Sequence, residues 1–132
     1  MERIVLKVKG IVKRNNTYLL VKRWYDDRIP DPFMWEFIDG NVEFGESPED
    51  AMCRLVAENL GVDGYIDRPA YTWSVLVGET HIVGIAFICS VDDYDNFTLP
   101  EELGEYAWVE REEFEDYIDN INVLKDLQGK EL

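Results

Sequence analysis

Residues 35–62 read WEFIDGNVEFGESPEDAMCRLVAENLGV. The opening aromatic and aliphatic residues predict a short strand at Trp35–Ile38 that runs into Asp39-Gly40. A helix follows, and its ends are written in the sequence. Ser47 is an N-cap residue, and Pro48 suits the first helical position. Asp50, three residues after Ser47, can close a capping box in place of Glu. Gly61 marks the stop after Leu60, so the spacing predicts a helix over 48–59. At about 100° per residue, Met52, Val56 and Leu60 form its core face. Leu55 widens that apolar stripe. Asn59 falls inside it, between Leu55 and Met52, and a half-buried amide there needs either a loop backbone partner or a ligand.

Working outward, residues 4–13 are β-branched and partly alternating, Arg14-Asn15-Asn16 signals a turn, and 17–22 form a second apolar run. Together they predict a β-hairpin. Residues 24–34 hold prolines and aspartates between aromatics and read as a loop. Residues 71–77 and 80–91 flank Gly78-Glu79 and predict another hairpin. A loop over 92–100 precedes a short strand at 106–109. Phe114, Ile118, Ile121 and Leu124 recur at helical spacing, so 111–127 is one helix or two short ones. Strands with two separated helices make a mixed α/β or α+β domain.

The chain has 132 residues, 46% of them hydrophobic and 13% aromatic. That is enough apolar material for one packed core, so a single domain over 1–132 is expected. Against 28 acidic residues stand 13 basic ones, a formal charge of −15. This field repels phosphate backbones and disfavours nucleic-acid binding, while a phosphorylated ligand can still bind through a bridging metal. The longest apolar stretch, 82–91, is too short to span a bilayer. The opening MERIVLKVKG lacks the apolar run of a secretory signal, and Cys53 and Cys89 make no disulfide framework, so a cytoplasmic location is expected. Neither cysteine has a partner spaced for zinc or nucleophilic chemistry, and His81 stands alone.

The 35–62 segment resembles the Nudix box of the Nudix hydrolases: Gly, five residues, Glu, seven residues, Arg-Glu, an aliphatic, any residue, Glu-Glu, any residue, Gly and an aliphatic. Gly40, Glu46, Arg54, Val56, Glu58, Gly61 and Val62 fall in register without a gap. The flanking WEF and VEFGES, the LLVKR that ends the second strand, and YAWVEREEF extend the likeness over most of the chain. The resemblance implies an α/β/α sandwich with a mixed β-sheet. It also implies hydrolysis of a nucleoside diphosphate linked to another moiety, with Mg2+ or Mn2+, Glu58 as a ligand and Arg54 orienting Glu46 and Glu58. A homodimer is the family analogy.

The departures fall where the chemistry lives. Leu55 and Asn59 stand where the box has glutamates, so two of three helix carboxylates are missing. A hard divalent ion wants oxygen ligands, and a unit charge pair about 4 Å apart is worth ~4 kcal/mol at an effective dielectric of about 20. The metal site is therefore weakened. Asp39, beside Gly40, and one of Glu101, Glu102 and Glu105 (Glu105 nearest the strand) are candidates to compensate. Arg23 is placed to clamp a phosphate, and Trp24 and Tyr25 to stack on a base. Two functions stay open: a Nudix hydrolase of a nucleotide-like small molecule with a weakened metal site, or an inactive Nudix-fold domain that binds a nucleotide or a protein partner.

Overall fold

A computed structural model describes residues 1–24 and 33–132. Tyr25 and most of the 24–34 loop lie outside the described residues.

Strand β1, Arg3–Arg14, is the spine. Alternation sends Val8 and Val12 to one face and Ile11 to the other, and all three are fully buried. Both faces of β1 are thus covered, which is why its sequence is so continuously apolar. It pairs parallel with β6, Thr80–Val91, from Arg3↔Thr80 to Val12↔Cys89. On its other side it pairs antiparallel with β4, Ile38–Asn41, from Lys7↔Asn41 to Gly10↔Ile38. Strand β5, Gly64–Val77, lies antiparallel along β6.

The expected first hairpin exists only at its tip. Strand β2, Thr17–Arg23, pairs with β1 at Lys13↔Tyr18 and Arg14↔Thr17 and then diverges. The reason is occupancy: from Gly10 back to Lys7 that side of β1 belongs to β4. Strand β2 turns instead to β3, Trp35–Glu36, and to β7, Leu103–Glu110. Asn15 takes the left-handed conformation at the turn, φ 55°, which Asn tolerates better than most residues.

Helix α1, Pro48–Leu60, covers one face of this mixed sheet. Its Met52, Leu55, Val56 and Leu60 pack with Val8, Val12 and Ile38. Helices α2, Phe114–Tyr117, and α3, Ile121–Leu127, cover the other face. Their Phe114 and Leu127, with Ile118 between the two helices, pack against Ile11, Leu20 and Phe37. The result is the expected α/β/α sandwich with a mixed sheet. Among the described residues no helix is long and apolar enough to cross a membrane.

Several boundaries differ from expectation: the strand at Trp35–Ile38 is divided between β3 and β4, and the strand expected at 106–109 begins at Leu103. Strand β5 starts at Gly64, seven residues early, because Pro69 falls where the β5–β6 register shifts and so breaks no regular ladder. The 111–127 stretch is a short turn of 3-10 helix at Arg111–Glu113 followed by α2 and α3. Ile118 is extended, and Asn120 starts α3 by accepting from the backbone N–H groups of Asn122 and Val123.

Candidate functional site

The loop before α1 is fastened to the helix by one side chain. Ser47 caps α1 by accepting from the Asp50 N–H at 3.1 Å, and Gly61 ends it in the left-handed conformation, φ 70°. This fixes the rotation of the helix, so Arg54 faces the loop. Arg54 donates through Nε to Glu46 Oε2 at 2.9 Å and through Nη2 to Glu46 Oε1 at 3.0 Å, a two-pronged pair. Nη2 also reaches the Asn41 carbonyl at 2.9 Å, and Nη1 lies 3.4 Å from both Glu58 carboxylate oxygens. Glu46 in turn accepts from the Glu43 N–H at 3.1 Å. The Arg54 guanidinium holds the Glu46 carboxyl below the usual range, and Glu46 strengthens the charge on Arg54. Structure thus brings Arg54, Glu46 and Glu58 together. Asp50, four residues before Arg54, is not among its partners.

The rest of the helix face is not a metal cradle. Leu55 is buried against β4: a Cβ at Gly40 would stand 2.6 Å from Leu55 Cδ2. Asn59, also buried, donates its amide to the Leu55 carbonyl at 2.7 Å. Its partner is therefore the helix's own backbone rather than the loop, since a side chain four residues on lies directly over that carbonyl. Glu58 is the single carboxylate of the trio, and it is exposed. Among the described residues no three His, Cys, Asp or Glu side chains gather as a metal site would require. Mg2+ and Mn2+ are held by several hard oxygens, so this donor set does not fit such an ion.

The expected compensating residues lie elsewhere. On β4, Ile38 faces the α1 core, so Asp39 turns to the opposite face of the strand, where it lines a cavity with Lys9 and Glu36. Glu105 lies 3.5 Å from the Lys22 ammonium on the neighbouring strand, while Glu101 and Glu102 are exposed in the turn before β7. Arg23 donates to Glu36 Oε1 at 2.7 Å. Trp24 is half exposed, edge-on to Phe33, with its ring over Gly104. His81 lies on β6, and Cys53 and Cys89 are free thiols. Burial pushes the Cys89 thiol up to about 12, which leaves it unreactive.

That cavity is the feature the sequence reading missed. It measures about 160 Å³ and lies on the α3 side of the sheet, walled by Trp35, Phe37, Ile118 and Val123 with Lys9, Glu36, Asp39 and Asn120. Burial drives the Glu36 carboxyl above its usual range and the Lys9 ammonium below its own. A signal for it was present: Lys9 alternates with Val8 and Gly10 inside an apolar strand, so a strand buried on both faces must carry that lysine inward.

The family model described as NUDIX domain matches residues 6–127. The chain is 30% identical to a nucleoside triphosphatase NudI of Escherichia fergusonii, over 92% of this chain and 93% of that protein. Among solved structures, the E. coli ORF135 protein superposes with a TM-score of 0.76 at 24% identity, over 95% of this chain and 89% of that one. A MutT NUDIX hydrolase from Burkholderia pseudomallei gives 0.77 at 18% identity, over 96% and 100%.

Proposed function

The chain belongs to the NUDIX domain family of hydrolases, and from that premise we propose that it binds a nucleotide, either a nucleoside triphosphate or a nucleoside diphosphate linked to another moiety, with hydrolysis of the pyrophosphate strongly attenuated. The observation that carries this reading is the packing of Leu55 on Gly40. An apolar side chain fills the place where the box puts a carboxylate, and Asn59 ties up its amide on the helix backbone. The cavity beside β4 supports the binding half: its aromatic and aliphatic walls suit a flat ring, and its polar groups suit orientation. The NudI relative, a nucleoside triphosphatase, supports a triphosphate as the first substrate to try.

A second reading, a working pyrophosphohydrolase with a weakened metal site, has one specific observation in its favour. The network of Arg54 with Glu46, Asn41 and Glu58 is complete, and Glu58 is the carboxylate on which that reading stands.

Phosphate release separates the two. Nucleotide sugars, dinucleotides and nucleoside triphosphates are incubated with the protein in Mg2+ and in Mn2+, alongside a Leu55→Glu, Asn59→Glu variant and a Glu58→Gln variant. Attenuation predicts a nearly silent wild type that becomes active in the double variant. Robust wild-type turnover abolished by Glu58→Gln selects the hydrolase. Robust turnover indifferent to Glu58→Gln removes Glu58 from either account.

A further inference from the structure

Strand β5 closes one side of the sheet, with β6 on its inner flank and, among the described residues, no strand on its outer one. A bare edge offers a row of unpaired N–H and C=O groups, and proteins guard such edges with charges, proline and bulges. The first half of β5 is guarded in this way. It carries Asp67, Arg68 and Pro69, and its register against β6 shifts between Ile66 and Arg68 and again between Pro69 and Tyr71. The second half is not. From Tyr71↔Ala86 to Val77↔Thr80 the pairing is regular, and residues 69–78 contain no charged side chain. Val75, Leu76 and Val77 stand exposed there, at 38, 72 and 60%. The other margins differ: β3 and β4 are two and four residues long, and β7 carries Glu105 and Glu110.

What fits this edge follows from the chain's own charge and pattern. Each molecule carries −15, so two copies repel wherever carboxylates face each other, and 69–78 is a stretch where none do. The stretch is also its own complement. Ser74 is the midpoint of the regular section, and a twofold axis through it, normal to the sheet, pairs 71–77 with itself antiparallel. Opposite residues then share a face. Trp73 meets the partner's Val75, Tyr71 the partner's Val77, and Thr72 the partner's Leu76. Aromatic side chains opposite β-branched ones are favourable cross-strand pairs. Trp73 leaves room for this, since its ring folds inward across Gly84 rather than outward over the edge. Past both ends, exposed Arg68 approaches the partner's Glu79, which is exposed as well. The charges are opposite, and the symmetry forms the contact at each end.

We propose that two copies of the chain dimerise by pairing β5 edge to edge about Ser74, which joins their sheets into one and covers Val75, Leu76 and Val77. Main-chain hydrogen bonds supply the attraction, and the side-chain pairs set the register.

Sedimentation of the full chain tests it. As protein is raised to about 1 mM, the 15.4 kDa monomer is expected to give way to twice that mass. Raising salt from about 0.01 M to about 0.15 M shortens the screening length from about 30 Å to about 8 Å and is expected to strengthen the dimer, because it removes repulsion between distant carboxylates. Ser74→Lys sets two ammonium groups opposite each other and is expected to weaken association at least about tenfold. Ser74 is exposed, and circular dichroism of the variant confirms that it is folded. Ser74→Cys is expected to crosslink on mild oxidation, whereas Thr72→Cys and Leu76→Cys crosslink only when mixed. Wild type, with Cys53 and buried Cys89, sets the background. A monomer at every concentration and salt overturns the proposal and leaves the edge to a strand of another protein. A dimer indifferent to Ser74→Lys also overturns it, since the contact then lies elsewhere. Crosslinking of Thr72→Cys or Leu76→Cys alone in preference to Ser74→Cys overturns the register.

Discussion

Leu55 lies over the α-carbon of Gly40, and the gap between them is narrower than a methyl group: a Cβ at residue 40 would stand 2.6 Å from Leu55 Cδ2 and 2.8 Å from Cδ1. Helix α1 and the edge strand β4 are therefore locked together by Leu55. Gly40 is not in the left-handed region, so its constraint is steric. Gly40→Ala is expected to cost about 1–2 kcal/mol through overpacking. In a Leu55→Ala background the same substitution is expected to cost far less, because the alanine methyl then occupies space the leucine vacated. Urea unfolding of the four proteins in a double-mutant cycle measures the coupling. Equal costs in both backgrounds would show that Leu55 yields freely and does not lock the strand.

The Glu46 carboxyl is held below its ordinary pKa, first by the hydrogen bond from Arg54 and next by the Glu43 N–H. The sign follows directly. A depressed folded-state pKa contributes stability above the unfolded value, near about 4.3, and that stability is lost as pH falls through the folded pKa. Between about pH 5 and the acid limit, Glu46→Gln is expected to flatten the decline of the urea midpoint relative to wild type. Above pH 6 the variant is expected to be the less stable of the two, with faster amide exchange at Glu43, whose N–H loses a charged acceptor. Parallel pH profiles for the two proteins would contradict the role given to Glu46.

The legible part of this molecule is the part whose causes are local. Ser47, Pro48 and Gly61 set the ends of α1 within a few residues of themselves, and the Gly40–Glu46–Arg54–Glu58 spacing is fixed by one loop and one helix. The illegible part depends on partners far away in the chain. Strand β2 leaves β1 because β4 is already paired there. Strand β5 runs through Pro69 because the register shift absorbs it. Asp39 looked like a neighbour of the α1 face from its place beside Gly40, yet strand alternation turns it to the other side. The cavity needs β1, β3, β4 and α3 at once, so no single segment of the sequence displays it.

Lys9 itself carries a pH signature. Burial lowers its pKa, and Asp39 is the leading charge opposing that shift. Across the window from the lowered value up to the ordinary lysine value, near about 10.4, the unfolded chain holds more protons than the folded one, so this group makes stability rise with pH. Below that window its charge is a fixed cost. Lys9→Met is therefore expected to stabilise the protein at pH 7 by about 1 kcal/mol and to remove part of the alkaline rise. Denaturant midpoints of both proteins from pH 6 to 10 check this, the difference between them cancelling the other titrating groups. A destabilised variant at pH 7 would mean that Asp39 and Glu36 need the ammonium more than burial penalises it.

Tyr71 presents the same question in neutral form. Among the described residues its buried hydroxyl has no hydrogen-bond partner, and burial raises its phenol above the ordinary range. The ring is well used, packing at 6.3 Å from Trp73 and 5.9 Å beneath the Lys130 ammonium. An unpaired buried hydroxyl costs about 1–3 kcal/mol relative to a paired one. Tyr71→Phe keeps the ring and deletes the unpaired group, so it is expected to leave stability unchanged or raise it by up to about 1 kcal/mol. Tyr71→Ala is expected to lose about 3–5 kcal/mol, as large aromatic truncations do. Chemical unfolding of both variants separates the contributions of ring and hydroxyl. A loss above about 1 kcal/mol in Tyr71→Phe would reveal a partner for the hydroxyl, with a bound water as the simplest identity.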